Sequence, residues 1–225
     1  MPVRTEPLVT GQVYHVFNQA IDHFPIFSHK KNIDRGLLTL YYYKFIDPGM
    51  RLSQYLTLNN DTRRSILESI EKLPCHVQII AFCLMPNHFH LLVEQMVDQG
   101  IQTYISNFQN SFTRYYNIRQ GRKGSLLLPR FKAVRIVTNE QLLHVSRYIH
   151  LNPLTSFVVD TFDKLKQYPP SSLSDYLTGQ VTWPIVSPAI VLDQFSSREA
   201  YAEFCSNQAS YQQALESIKH LCFEQ

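Results

Sequence analysis

At 225 residues with 44% hydrophobic side chains, the chain can bury a substantial core but is too short for two full enzymes. Its formal net charge of +3 is too mild to demand a nucleic-acid partner, and its cysteines, at 75, 83, 205 and 222, form no Cys-x-x-Cys pair and read as reduced core thiols. Met1-Pro2-Val3-Arg4-Thr5-Glu6 has no apolar signal core and no run approaches membrane-spanning length, so the expectation is a cytoplasmic protein with no membrane partner.

In chain order, residues 12–18 read as a strand, and 31–45 and 61–73 as helices, the second capped by Asn60 or Asp61. Residues 76–84 and 88–94 make a strand pair across Met85-Pro86-Asn87, where Pro86 and Asn87 suit a turn. Residues 101–118 form the next helix, 120–124 a basic turn, and 131–137 a strand leading into a helix capped by Thr138 or Asn139 and ended by Pro153. Pro169-Pro170-Ser171-Ser172 is a connection, and 197–206 and 211–221 look helical. The sum is an α+β fold, ferredoxin-like or RRM-like, with helices on one face of an antiparallel sheet. It spans residues 1–178, and a helical C-terminal extension follows at 179–225. Glu199, Glu203, Glu216 and Glu224 suit that extension to packing or dimerisation rather than to phosphate binding.

Chemistry concentrates in two places. In Met85-Pro86-Asn87-His88-Phe89-His90, strand alternation sends His88 and His90 to one face and Phe89 to the other. Two fixed imidazoles are two thirds of a divalent-metal site, or simply a half-buried, satisfied pair. In the helix near 139–152, His144, Tyr148 and Asn152 recur every four residues and share a face. Between Gly100 and Asn139, Arg114, Arg119, Arg122, Lys123, Arg130, Lys132 and Arg135 occur without any Asp or Glu. Phe108, Phe112, Tyr115, Tyr116 and Phe131 are interleaved with them, either to stack on bases while the cations hold phosphates or, at helical spacing, to fill a core.

Cys83-Leu84-Met85-Pro86-Asn87-His88-Phe89-His90-Leu91-Leu92-Val93 followed by Arg147-Tyr148-Ile149-His150-Leu151-Asn152-Pro153 resembles the HUH single-tyrosine transposases, and within them the REP-associated tyrosine transposase branch. Tyr14-His15-Val16-Phe17-Asn18 is similar to that family's first strand, Pro129-Arg130-Phe131-Lys132-Ala133-Val134 to the segment before its catalytic helix, and Tyr168-Pro169-Pro170-Ser171-Ser172 to its tail motif. The resemblance implies His88 and His90 as metal ligands and Tyr148 as nucleophile. It implies Asn152 as third ligand, where the family carries Gln or an acidic residue. It also implies Mg2+ or Mn2+ as cofactor, single-stranded DNA or hairpins of repetitive extragenic palindromes as partner, and either a homodimer or a monomer.

A metal so held would neutralise the scissile phosphate and stabilise the leaving 3′-oxygen, while Tyr148 takes the 5′-phosphate and later returns it, a strand transfer without ATP. His144 stands as an alternative third ligand, a general base or a solvent-facing side chain, and Arg147 as a phosphate contact or a structural ion pair. Two other readings remain: a domesticated DNA-binding protein with little chemistry, and a zinc hydrolase using His88, His90 and His144 with a water nucleophile.

Overall fold

The computed structural model describes residues 7–179 and 184–207; the expected helix at 211–221 lies outside the described residues. Strands β1 (Val13–Gln19), β2 (Val77–Met85), β3 (His88–Gln95) and β4 (Lys132–Arg135) form one sheet in the order β2-β3-β1-β4, each neighbouring pair antiparallel. Helix α1 (Lys30–Tyr42), the short α2 (Leu52–Tyr55) and α3 (Asn60–Ile70) lie between β1 and β2, and α4 (Gly100–Gln120) lies between β3 and β4. This is the ferredoxin-like β-α-β-β-α-β order. Then follow α5 (Asn139–Thr155), α6 (Phe162–Lys166), α7 (Leu173–Thr178), α8 (Ala189–Leu192) and helical residues 198–207.

Both faces of the sheet are covered, which corrects the expectation of helices on one face. Tyr14, Val16, Phe89 and Leu91 pack with Leu37 and Leu40 of α1 and Ile101, Tyr104 and Phe108 of α4. On the other face, Leu92 packs with Ile149, Leu151 and Leu154 of α5, Tyr176 of α7 and Tyr201. The reason lies in β2, whose bulge between Ile79 and Ala81 leaves Ile79 and Phe82 in the first core and Ile80, Ala81 and Cys83 in the second. A strand apolar on both sides cannot leave either in water, at roughly 1.5–3 kcal/mol for each large side chain buried.

Two boundaries also differ. Helix α3 is capped by Asn59, whose side chain accepts from the Thr62 N–H at 2.9 Å, so Asn60 and Asp61 fall inside its first turn. Helix α5 starts on a capping box between Thr138 and Gln141 and runs past Pro153 to Thr155. Pro153 removes one backbone donor in the last turn, but its carbonyl accepts from the Val158 N–H at 2.9 Å and the Ser156 N–H reaches the Asn152 carbonyl at 2.9 Å.

Helix α4 returns along the sheet from its start at Gly100, where a Cβ would lie 2.2 Å from the His76 carbonyl oxygen. The segment after it is stitched to the end of the sheet that carries His88: the Leu126 carbonyl accepts from Ile21, the Gln19 carbonyl from Leu128, and the Asn87 carbonyl from Ala20. The basic end of α4 and the histidine pair therefore share one end of the molecule.

Candidate active site and metal centre

His88 and His90 stand on the α5 side of β3, while Phe89 is fully buried on the other side with its ring 5.2 Å from that of Phe108. Asn87 does more than turn the chain. Its Oδ1 lies 2.6 Å from His88 Nδ1, an acceptor that favours the tautomer with the imidazole proton on Nδ1.

Register adds a residue that the sequence reading did not single out. Phe17 pairs with His90, which places His15 and Phe17 on the same face beside it. His15 Nε2 is 3.0 Å from His90 Nδ1, and the two rings stack at 5.1 Å. Only the pairing of β1 with β3 reveals this contact; the one local hint is the alternation of His15 and Phe17 opposite buried Tyr14 and Val16.

Tyr148 stands edge-on to both rings, 5.5 Å from His90 and 5.9 Å from His15, and keeps 42% of its surface exposed. One helical turn on, Asn152 is buried, its amide within hydrogen-bonding reach of His88, and its Oδ1 accepts from the Ser156 hydroxyl at 3.3 Å. Strand β3 and helix α5 thus bring His88, His90, Tyr148 and Asn152 together.

Burial holds the histidines neutral. It lowers His15 to about 4 and His90 well below the ordinary imidazole value, with His88 and His15 adding to the effect on His90. Burial also lowers His88, against an upward pull from Asn152. Neutral imidazoles with one nitrogen engaged, next to an amide oxygen, form a donor set that fits a divalent cation such as Mg2+ or Mn2+.

Other expected site residues are placed elsewhere. His144 Nδ1 accepts from the Arg147 guanidinium at 3.0 Å, its Nε2 is 3.9 Å from Glu140, and its ring meets Phe204 edge-on. It is not brought to the histidine pair or to Tyr148. Among the described residues no three His, Cys, Asp or Glu side chains gather around a metal position.

Of the expected DNA contacts, Arg114, Arg119, Lys123, Arg130, Lys132 and Arg135 are exposed and Arg122 is partly so. Arg114, Arg122 and Lys123 line an open cleft of about 700 Å3 at the end of α4, and Arg119 joins Lys30 and Lys31 around a smaller one of about 360 Å3. Lys132 sits over the Phe17 ring at 5.8 Å, close to the histidines. Arg147 departs from expectation: it is buried, lies 4.1 Å from the Phe204 ring centre and donates to the Phe204 carbonyl. The base-stacking expectation also contracts, because Phe108, Phe112 and Tyr116 belong to the core while Tyr115 and Phe131 remain half-buried.

Residues 50–152 match the family model described as IS200-like transposase. The match runs from before β2 into α5 and includes His88, His90, Tyr148 and Asn152. The fold is shared with a REP-associated tyrosine transposase solved bound to a REP hairpin, at a TM-score of 0.53 and 14% identity over 83% of this chain and 91% of that one. A second solved structure, a provisionally assigned transposase from Deinococcus radiodurans R1, aligns at a TM-score of 0.37 and 14% identity over 66% of this chain and 95% of that one. No curated protein matches the chain. Among the described residues, no helix is long and apolar enough to cross a membrane.

Proposed function

We propose that the protein nicks and rejoins single-stranded DNA in hairpin-forming repeats, through a 5′-phosphotyrosine on Tyr148. The observation that carries this reading is the exposed Tyr148 phenol standing 5.5 Å from the His90 ring, on the patch that holds His88 and Asn152. In the nick the Tyr148 oxygen attacks the scissile phosphorus. The phosphorus–tyrosine bond forms as the bond to O3′ breaks, the phenol proton passes to a solvent base, and the freed 3′-oxygen takes up a proton. His88, His90 and Asn152 would hold a divalent cation, which when bound would supply charge neutralisation at the scissile phosphate. Asn87 keeps the His88 ring oriented before substrate arrives. Because one phosphodiester is exchanged for another, a 3′-hydroxyl can attack the phosphotyrosine and reseal the strand without ATP.

Two observations support the choice of substrate: the cationic clefts at the end of α4 lie at the same end of the sheet as His88, and the structural neighbour binds a REP hairpin. The test uses hairpin oligonucleotides labelled at either end, incubated with the protein and Mn2+. The 3′-end label is expected to stay with denatured protein, and the 5′-end label to be released on a fragment with an extendable 3′-hydroxyl. Free fragments without an adduct would point to water as nucleophile, and binding without cleavage to a domesticated DNA-binding protein.

A further inference from the structure

We propose that His15 is a positioning residue for this site: it accepts the Nδ1–H of His90 and so fixes the tautomer in which His90 Nε2 is open to a metal. The inference rests on the metal role of His90 proposed above.

Two imidazoles whose Nε2 and Nδ1 lie 3.0 Å apart share a single proton along that line, which allows two arrangements. With the proton on His15 Nε2, the proton of a neutral His90 sits on its own Nε2, and the coordinating position is closed. With the proton on His90 Nδ1, His15 accepts and His90 Nε2 keeps its lone pair. His88 is already set in the corresponding state by Asn87 Oδ1 at 2.6 Å. The two ligands would then present the same nitrogen, each oriented by its own acceptor: the first from the turn before β3, the second from β1.

The strands make the arrangement stiff. His15 pairs with Leu92 and Phe17 with His90 in the ladder, so His15 is held beside the ligand by backbone hydrogen bonds rather than by a loop. Its ring stacks on His90 at an interplanar angle of 25° and meets Tyr148 edge-on, so one side chain braces both the ligand and the nucleophile. A phenylalanine at this position could fill the space and keep the ring contacts, but it could not accept the proton. That difference separates positioning from packing.

The experiment titrates the full chain with Mn2+ in the absence of DNA, following free Mn2+ by electron paramagnetic resonance, alongside His15→Phe, His15→Gln and His88→Ala. Loss of the acceptor in His15→Phe is expected to weaken Mn2+ binding roughly 10–100-fold, the range for removing such a partner of a metal ligand. His15→Gln, which restores a carbonyl acceptor without a ring, is expected to recover most of it. Binding by His15→Phe within twofold of the parent overturns the proposal, and so does an equal loss in both variants, which would make the ring's bulk the important property. Nitrogen-15 spectra of the parent's imidazoles give a readout that does not depend on either variant folding. His90 protonated at Nδ1 is expected, and a proton on Nε2 overturns the proposal. A parent that binds no Mn2+, or whose binding survives His88→Ala, defeats the metal reading itself, an outcome distinct from failure at His15 alone.

Discussion

Asn152 supplies a neutral amide where a carboxylate would bring charge, and it does so from a buried position. A buried carboxylate lacking a counter-charge costs stability, whereas a carboxylate facing a divalent cation gains both charge and a hard donor. Asn152→Asp is therefore expected to lose about 1–3 kcal/mol of stability without metal and to recover it with Mn2+, giving a larger metal-induced rise in Tm than the parent shows. Thermal denaturation with and without Mn2+ measures this, and equal rises in the two proteins would argue against Asn152 as a ligand. The residues of this patch differ in how far they could be read from sequence. His88 with His90, and Tyr148 with Asn152, follow from local periodicity, two along a strand and four along a helix. His15 depends on the register of two strands separated by most of the chain, which no local spacing encodes.

The tyrosine helix is fixed from behind by residues 198–207. Arg147 stacks over Phe204 and donates to its carbonyl, while the Ser146 and His150 side chains both meet the Tyr201 hydroxyl. Arg147→Ala is thus expected to cost about 2 kcal/mol, the upper range of a desolvated cation–π contact, in urea denaturation, while leaving the salt dependence of DNA binding unchanged; a reduced salt slope would return Arg147 to the DNA surface. An Arg immediately before Tyr148 looks like a phosphate contact in sequence because nothing local reveals that Phe204 packs against it. The order of strands and helices was legible from alternation and turn residues. The side of the sheet taken by α5 was not, although the unbroken apolar run in β2 was a usable signal for burial on both faces.

At the scale of the molecule, the second core contains a titratable group. His150 is fully buried between the Tyr201 and Ser172 hydroxyls, 2.8 Å from each, and burial lowers it from 6.5 to about 3. Above pH 6.5 both folded and unfolded chains carry it neutral. Between 6.5 and about 3 the unfolded chain takes a proton that the folded one refuses, so stability falls as pH falls through that window. From pH 6.5 to 5 the expected loss is about 2 kcal/mol, with His15 acting in the same sense. Urea midpoints at the two pH values check it, and a flat profile would contradict burial of a neutral His150. DNA binding should also report the cationic end of α4. Removing Arg114 and Lys123 together is expected to lower the slope of log affinity against log salt by roughly 0.7 per lost contact for single strands and 0.9 for a duplex stem. An unchanged slope would place the DNA elsewhere.

The most direct measurement is a denaturing gel of labelled single-stranded hairpin DNA incubated with Mn2+ and either the parent protein or Tyr148→Phe, which removes only the phenolic oxygen. A heat- and detergent-resistant protein–DNA adduct with the parent, absent from a Tyr148→Phe protein that still binds the hairpin and Mn2+, is the expected result. An adduct that persists in Tyr148→Phe would contradict Tyr148 as the nucleophile.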